Sequence, residues 1–210
     1  ASVLATTTVV CGCGGGDRVR EALPALLSHA GRLVLDADAL NAVAEDSQLQ
    51  SMLASRTGRG LDTVLTPHPL EAARLLQRSA AEVQADRLDA ARLLAQRWSC
   101  VVVLKGSGTI VAAPGHLPTI IGSGNALLAT AGTGDVLAGM VVGLLAQAMP
   151  AFEAASAAVW LHGAAAIDFG PGLIAEDLPE TLPSVLRALQ ISGKSRGSGG
   201  PISATPQTGQ

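Results

Sequence analysis

Four short runs of apolar, largely β-branched residues, at 6–11, 32–35, 63–65 and 101–104, punctuate the first half of the chain, and stretches of helical periodicity separate them. Runs this short and this apolar are buried on both faces, and a helix between successive runs supplies the crossover that parallel pairing requires. The alternation points to an α/β fold: a central, mainly parallel sheet with helices on both faces. Ligands of such sheets bind beyond the carboxyl ends of the strands, so chemistry is expected in the residues that follow each run. Those are the glycine-rich stretch 12–16, Asp36 and Asp38, His68, and Lys105-Gly106.

The helical stretches carry their own start and stop signals. Asp17 stands at the N-cap of a helix reaching about residue 30, and another begins near Ala39 after Asp36-Ala37-Asp38. Pro67 and Pro69 keep the turn around His68 out of helix, and residues 70–76 follow as one. Ser79 and Glu82 form a capping box opening a single helix over 79–98. Residues 109–113 and 120–121 pair antiparallel about the Pro114-Gly115 turn. A glycine-rich loop, 122–134, leads into apolar helices at 136–148 and 152–169, and a last helix covers 178–189. Residues 192–210 are rich in Ser, Gly and Pro without apolar periodicity, the pattern of a disordered tail. The length of 210 residues supports one domain over 1–191 with that tail appended.

Composition narrows the partners. The formal net charge is -3, and no Lys/Arg cluster offers a footprint for nucleic acid. The apolar stretch 136–149 is too short to span a bilayer, and the N-terminus lacks signal-peptide character, so the expected location is cytoplasmic with no membrane partner. Three cysteines without framework spacing fit a reducing compartment, and Cys11-Gly-Cys13 lacks the second ligand pair that zinc needs, so no protein metal site is expected. The chain also starts without Met in mid-pattern, as a fragment or a processed chain would.

The strongest local signal is Ala131-Gly132-Thr133-Gly134-Asp135 running into an apolar helix. Glycines let backbone N–H groups turn towards one point, and the positive end of the following helix favours an anion there, so Gly132, Thr133 and Gly134 form a candidate anion hole. Asp135 beside a phosphate makes sense as a base that takes a proton from a substrate hydroxyl during phosphoryl transfer. A plain Asp cap after a glycine turn explains the same residues. Lys105-Gly106-Ser107-Gly108-Thr109 places an ammonium and a flexible turn after a buried strand, suited to phosphates, or else a snorkelling Lys before a hairpin. His68, held between two prolines, can hydrogen-bond a ligand or simply lie on the surface; Glu71 can serve only the helix dipole. Asp36, Asp38 and Asn41 read equally as contacts to substrate or a hydrated cation, or as strand-end and cap residues.

The order of these segments is more specific than any one of them. Leu35-Asp36-Ala37-Asp38-Ala39-Leu40-Asn41, Thr66-Pro67-His68-Pro69 with Glu71, Lys105-Gly106 with Thr109, Gly132-Thr133-Gly134-Asp135 and Leu161-His162-Gly163-Ala164 together resemble the ADP- or ATP-dependent NAD(P)H-hydrate dehydratases, over about residues 8–190. The resemblance implies a ribokinase-like fold and repair of hydrated NADH and NADPH, the S epimers of NADHX and NADPHX, at the expense of ADP or ATP with Mg²⁺. It implies nucleotide contacts from Lys105, Gly106, Ser107, Gly108, Thr109 and Gly134. Substrate contacts would come from Gly14, His68 and Asp135, with Asp135 as base, in a homo-oligomer. A small-molecule kinase of the same fold, or an inactive nucleotide-binding remnant, is the alternative.

Several positions depart from the family pattern. Gly12-Cys13-Gly14-Gly15-Gly16 stands where a Gly-Pro-Gly-Leu-Gly turn is usual, which predicts a looser turn. Ala126, Leu127 and Ala131 stand where Pro or Gly is common, which predicts strain of about 1 kcal/mol wherever positive φ is needed. Relative to the family the chain lacks N-terminal elements, which predicts an exposed sheet edge.

Overall fold

The computed structural model describes residues 2–197. The expected tail over 198–210 lies outside the described residues. Helix α1 (Ser2–Thr6) precedes strand β1 (Thr8–Cys11), so the first strand starts two residues later than its β-branched run. There follow α2 (Arg18–His29), β2 (Arg32–Leu35), α3 (Ala37–Glu45), α4 (Ser47–Ser55), β3 (Asp62–Leu65), α5 (Pro69–Leu76), α6 (Ala80–Ala85), α7 (Arg87–Trp98) and β4 (Val101–Leu104). The hairpin strands β5 (Thr109–Ala112) and β6 (Thr119–Ile121) come next, then α8 (Thr133–Ala146), α9 (Ala151–Phe169) and α10 (Asp177–Gly197).

The strands form one sheet in the order β1-β2-β3-β4-β5-β6. β1 to β4 pair in parallel, and β5 and β6 add antiparallel at the far side. Because the first four strands are laid down in sequence order, right-handed crossovers put every intervening helix on the same face. Leu33, Leu35, Leu65, Val102 and Leu104 meet those helices in one core cluster. The alternate residues Val34, Val64, Val101 and Val103 point the other way, into a second cluster closed by α8 and α9. Helices thus cover both faces as the sequence implies, but the second face waits for elements contributed after the last strand. α10 packs against α9 in a third cluster through Leu178 and Val185.

Four local expectations change. The helix expected over 79–98 is two, because Asp86 at φ -142 and ψ 80 ends α6 and its side chain accepts from Asp89 N to start α7. The helix after Asp36 is also two: Asp46 is extended and accepts from the N–H groups of Gln48 and Leu49, opening α4. Asp17 sits at the N-cap of α2 but makes no side-chain capping bond. α10 runs to Gly197, past the residue-192 start expected for the tail.

One side chain ties the lower end of the sheet together. Arg56 is fully buried and spends its guanidinium on Thr63 Oγ1 at 2.7 Å, Leu27 O at 2.8 Å, Leu26 O at 3.3 Å, Ala30 O at 2.9 Å and Asp62 O at 3.1 Å. It bridges the C-terminal carbonyls of α2 to β3 without any carboxylate partner in direct contact, and burial lowers its pKa to about 10.

Candidate active site

The carboxyl ends of β1 to β4 converge on one buried charge cluster. Asp36 follows β2 and is 1% exposed. It occupies the N-cap position of α3 but makes no capping bond. Its Oδ1 instead accepts from Lys105 Nζ at 2.6 Å, joining the ends of β2 and β4 across 69 residues of sequence. Lys105 Nζ also lies 4.0 Å from Glu71 Oε2. A charge this buried is tolerable only when paired, which explains why both partners sit at strand ends with fixed backbones. Of the three residues left open at the start of α3, only Asp36 enters this cluster: Asp38 Oδ2 accepts from Gly16 N at 2.8 Å and Asn41 Oδ1 from Arg74 at 2.7 Å.

The turn after β1 is built around close approach. Gly12 has φ 120°, and a Cβ there would lie 1.8 Å from Asp36 O, so no other residue fits. The turn carries Cys13 to the second face of the sheet, whereas Cys11 packs towards the first. The two thiols therefore cannot close on one ion. Cys13 Sγ and the carboxylate oxygens of Asp36 and Asp135 all lie within 4.8 Å of one another. Burial, then the charges of Asp36 and Asp135 and a hydrogen bond to Asp135, push the Cys13 thiol up to about 12. Asp36 in this group is also the carboxylate that accepts from Lys105 Nζ. Gly14 is exposed beside it at φ 63°, with nothing within 4 Å of a built Cβ. The turn expected to be loose is anchored at Gly16 by Asp38.

His68 and Glu71 form a reciprocal capping box at the start of α5. His68 Nδ1 accepts from Leu70 N and Glu71 N, while Glu71 Oε2 accepts from His68 N at 2.7 Å. Because Nδ1 is an acceptor, the ring proton sits on Nε2, which faces Glu71 Oε1 at 3.2 Å. Glu71 is 4% exposed. It is thus more than a complement to the helix dipole: it orients the imidazole and faces Lys105.

The glycine-rich loop closes the site from the second face. Gly132 has φ 86° and starts α8, and Thr133 is buried, its hydroxyl directed at Leu128 O and Thr130 O. Thr133 N–H donates weakly to Thr130 O at 3.4 Å. Among the described residues the N–H groups of Gly132, Gly134 and Asp135 have no intramolecular acceptor, so three donors and the positive end of a 14-residue helix are open to an anion. Asp135 itself is exposed. A Cβ on Gly134 would lie 3.4 Å from Lys105 Nζ, so the ammonium stands directly over that backbone. Ala126, Leu127 and Ala131 are absent from the residues with positive φ. The strain expected at those substitutions therefore does not arise; Gly124 and Gly132 absorb the left-handed geometry.

A cavity of about 430 Å³ opens beside Gly134. Lys105, Gly106, Ser107, Gly108 and Thr109 line one wall and Gly134 its end, with apolar surface from Leu128, Leu137 and Val159. All six residues assigned to the nucleotide thus share one cavity. Gly14, His68 and Asp135 lie outside its lining. Two residues without a sequence-level role shape the walls. Arg87, at the start of α7, donates to Leu104 O at 3.2 Å, Lys105 O at 3.3 Å and Ser107 O, and a Cβ on Gly106 would lie 2.8 Å from its Nη2. His162, 7% exposed on α9, donates from Nε2 to Thr133 O at 2.8 Å. Its placement inside a Leu-His-Gly-Ala segment was visible in sequence; its partner was not.

A parallel sheet with an antiparallel hairpin, capped by a helix that opens on Gly-Thr-Gly-Asp, defines a ribokinase-like α/β protein. A ribokinase-like superfamily protein from Enterococcus faecalis shares this fold, with a TM-score of 0.71 at 24% identity over 89% of this chain and 67% of that one. The sequence pattern of NAD(P)H-hydrate dehydratase matches residues 2–184, and the chain belongs to that family. It is 48% identical over 161 residues, 75% of its length, to the ADP-dependent (S)-NAD(P)H-hydrate dehydratase of Neisseria meningitidis. It spans 53% of that relative's length. The ADP/ATP-dependent NAD(P)H-hydrate dehydratase of Bacillus subtilis, co-crystallised with ATP/Mg²⁺ and soaked with CoA, superposes with a TM-score of 0.72 at 31% identity, covering 89% of this chain and 70% of that one. Among the described residues no helix is long and apolar enough to cross a membrane.

Proposed function

We propose that this chain carries the nucleotide-dependent dehydration of the S epimer of hydrated NADH or NADPH, a metabolite-repair reaction. One observation carries the reading: Lys105 and Gly134 line a nucleotide-sized cavity, and Lys105 pairs there with Asp36, whose carboxylate lies within 4.8 Å of that of Asp135. The family membership and the names of the Neisseria and Bacillus relatives support it. The cavity suits ADP or ATP, with glycine backbone and an ammonium at the phosphate end and apolar side chains beyond. No carboxylate lines it among the described residues, so Mg²⁺ would be held through the phosphates, where it spreads the transferring charge.

Asp135 accepts the proton of the ring hydroxyl as that oxygen attacks the terminal phosphoryl group. Lys105 and the N–H groups of Gly134 and Asp135 bear the charge that develops on the phosphoryl oxygens. The phosphorylated oxygen then leaves as phosphate with the C–O bonding pair, a proton leaves the neighbouring ring carbon, and the C=C bond of the dihydropyridine is restored. Cys13, kept protonated, and Asp36, kept on Lys105, hold the two halves of the site in register. The protein is placed in the cytoplasm in this reading, where reduced thiols and the nicotinamide pool coincide.

Absorbance at 340 nm with NADHX, Mg²⁺ and either nucleotide tests the reading. Wild-type protein is expected to generate NADH, and Asp135→Asn to lose at least about 10²-fold in kcat while still binding ADP. Equal rates for the two proteins would remove Asp135 as base, and a stable phosphorylated product without NADH would replace the dehydratase by a kinase.

A further inference from the structure

The peptide that carries the open amide of Gly134 opens α8 and is met at its carbonyl by one buried side chain. The Thr133 carbonyl and the Gly134 N–H belong to a single trans peptide unit, so fixing the oxygen fixes the direction of the hydrogen, which points the opposite way. His162 Nε2 lies 2.8 Å from Thr133 O. A carbonyl only accepts, so this nitrogen carries the ring proton. The ring is 7% exposed on α9, and burial keeps its pKa below the ordinary histidine value.

The neighbouring residue locks α9 at this depth. A Cβ on Gly163 would lie 2.5 Å from the backbone carbon of Ser123 and 2.6 Å from its oxygen. α9 therefore lies flush against the 122–125 wall of the cavity, with His162 reaching the start of α8 and itself forming part of the lining. On the other side of Gly134 stands Lys105 Nζ, 3.4 Å from a built Cβ. The peptide unit is gripped at its oxygen by an imidazole, and an ammonium stands beside the Gly134 α-carbon that follows it.

We propose that His162 is a positioning residue: it orients the Thr133–Gly134 peptide so that the Gly134 N–H meets a nucleotide phosphate. This rests on the nucleotide reading of the cavity. The imidazole makes its contact through the peptide and not through the reacting atoms, so its loss acts on the phosphate end of the nucleotide. Gln can place a side-chain N–H where Nε2 stands, whereas Leu fills the space without a donor.

The test compares wild type, His162→Gln and His162→Leu by calorimetric titration with ADP and Mg²⁺ and by NADHX turnover. ADP affinity is expected to fall on the order of tenfold in His162→Leu, the scale of one hydrogen bond, and to return to within about threefold of wild type in His162→Gln. Adenosine, which has no phosphate, is expected to bind all three alike. The ¹⁵N shifts of His162 in the free wild-type protein supply a readout that needs no variant to fold: a protonated Nε2 and bare Nδ1 are expected. Equal ADP affinity in the Leu and Gln variants, an equal loss for adenosine, or a proton on Nδ1 alone would overturn the role. Wild-type protein that binds ADP in this order but yields no NADH would retire the dehydratase reading and leave His162 where it is, while absence of ADP binding in wild type would remove both.

Discussion

The Lys105–Asp36 pair is the interaction on which the site most depends, and its coupling is measurable. At 2.6 Å and an effective dielectric of about 20, the attraction between the two charges is about 6 kcal/mol before solvation. The Lys105 side chain keeps 18% exposure, so water screens part of this, and Glu71 at 4.0 Å offers the ammonium a second carboxylate. A net coupling of about 2–4 kcal/mol follows. The two single variants are not equivalent. Lys105→Met strands a carboxylate that is 1% exposed and is expected to cost about 3–5 kcal/mol, whereas Asp36→Asn leaves an ammonium that still reaches solvent and Glu71, and costs less. The double variant, with neither charge, is expected to be more stable than Lys105→Met alone. Urea denaturation of the four proteins at pH 7 measures the cycle. A coupling below about 0.5 kcal/mol, the level found between independent sites, would refute the claim that this pair joins β2 to β4.

Two further outcomes follow from the buried Arg56 and the half-buried Cys13. Arg56→Met removes five donated hydrogen bonds and leaves Leu27 O and Ala30 O without their guanidinium partner, so a loss of at least about 3 kcal/mol, or roughly 6 °C in Tm, is expected by calorimetry; an unchanged Tm would show the clamp to be dispensable. The raised Cys13 pKa of about 12 means that the folded protein holds this proton where an unfolded thiol, near 9, releases it. That contribution to stability is complete below pH 9 and is lost as pH rises towards 12. Iodoacetamide should accordingly label Cys13 more slowly at pH 8.5 than in urea, and Asp135→Asn should speed the native reaction by removing a charge and a hydrogen bond, as peptide mapping would show. Native and unfolded rates that coincide would contradict the three-way contact of Cys13, Asp36 and Asp135.

How much of this was legible without coordinates depends on how far each interaction reaches along the chain. The four parallel strands, the hairpin about Pro114-Gly115 and the capping box at Ser79 arise from residues within a few positions of one another, and their marks are local. The breaks at Asp46 and Asp86 are local too, yet a lone Asp inside an otherwise periodic stretch reads as one more polar position until its side chain is seen turning back onto the next helix. Lys105 to Thr109 and Gly134, joined in sequence only by the resemblance, line one cavity in the fold, and the turn strain expected at Ala126, Leu127 and Ala131 is absent because the positive φ falls on Gly124 and Gly132.

Pairing across the fold is another matter. Asp36 read equally as a ligand contact or a cap and is the buried partner of a lysine 69 residues away; Glu71 looked like a dipole complement and orients His68 while facing that same lysine. Arg56 and Arg87 carry no motif, since an arginine that donates to backbone carbonyls can be satisfied by any sequence that brings those carbonyls near. His162 stood inside a recognisable segment, but its target is an oxygen, and backbone oxygens are alike in every residue. The chain's own pattern determined the layers, the strand ends and the chemical types gathered there. Which charge meets which, and which amide is left open to a phosphate, was decided only when the second face closed with α8 and α9, because packing sets those distances and sequence spacing does not.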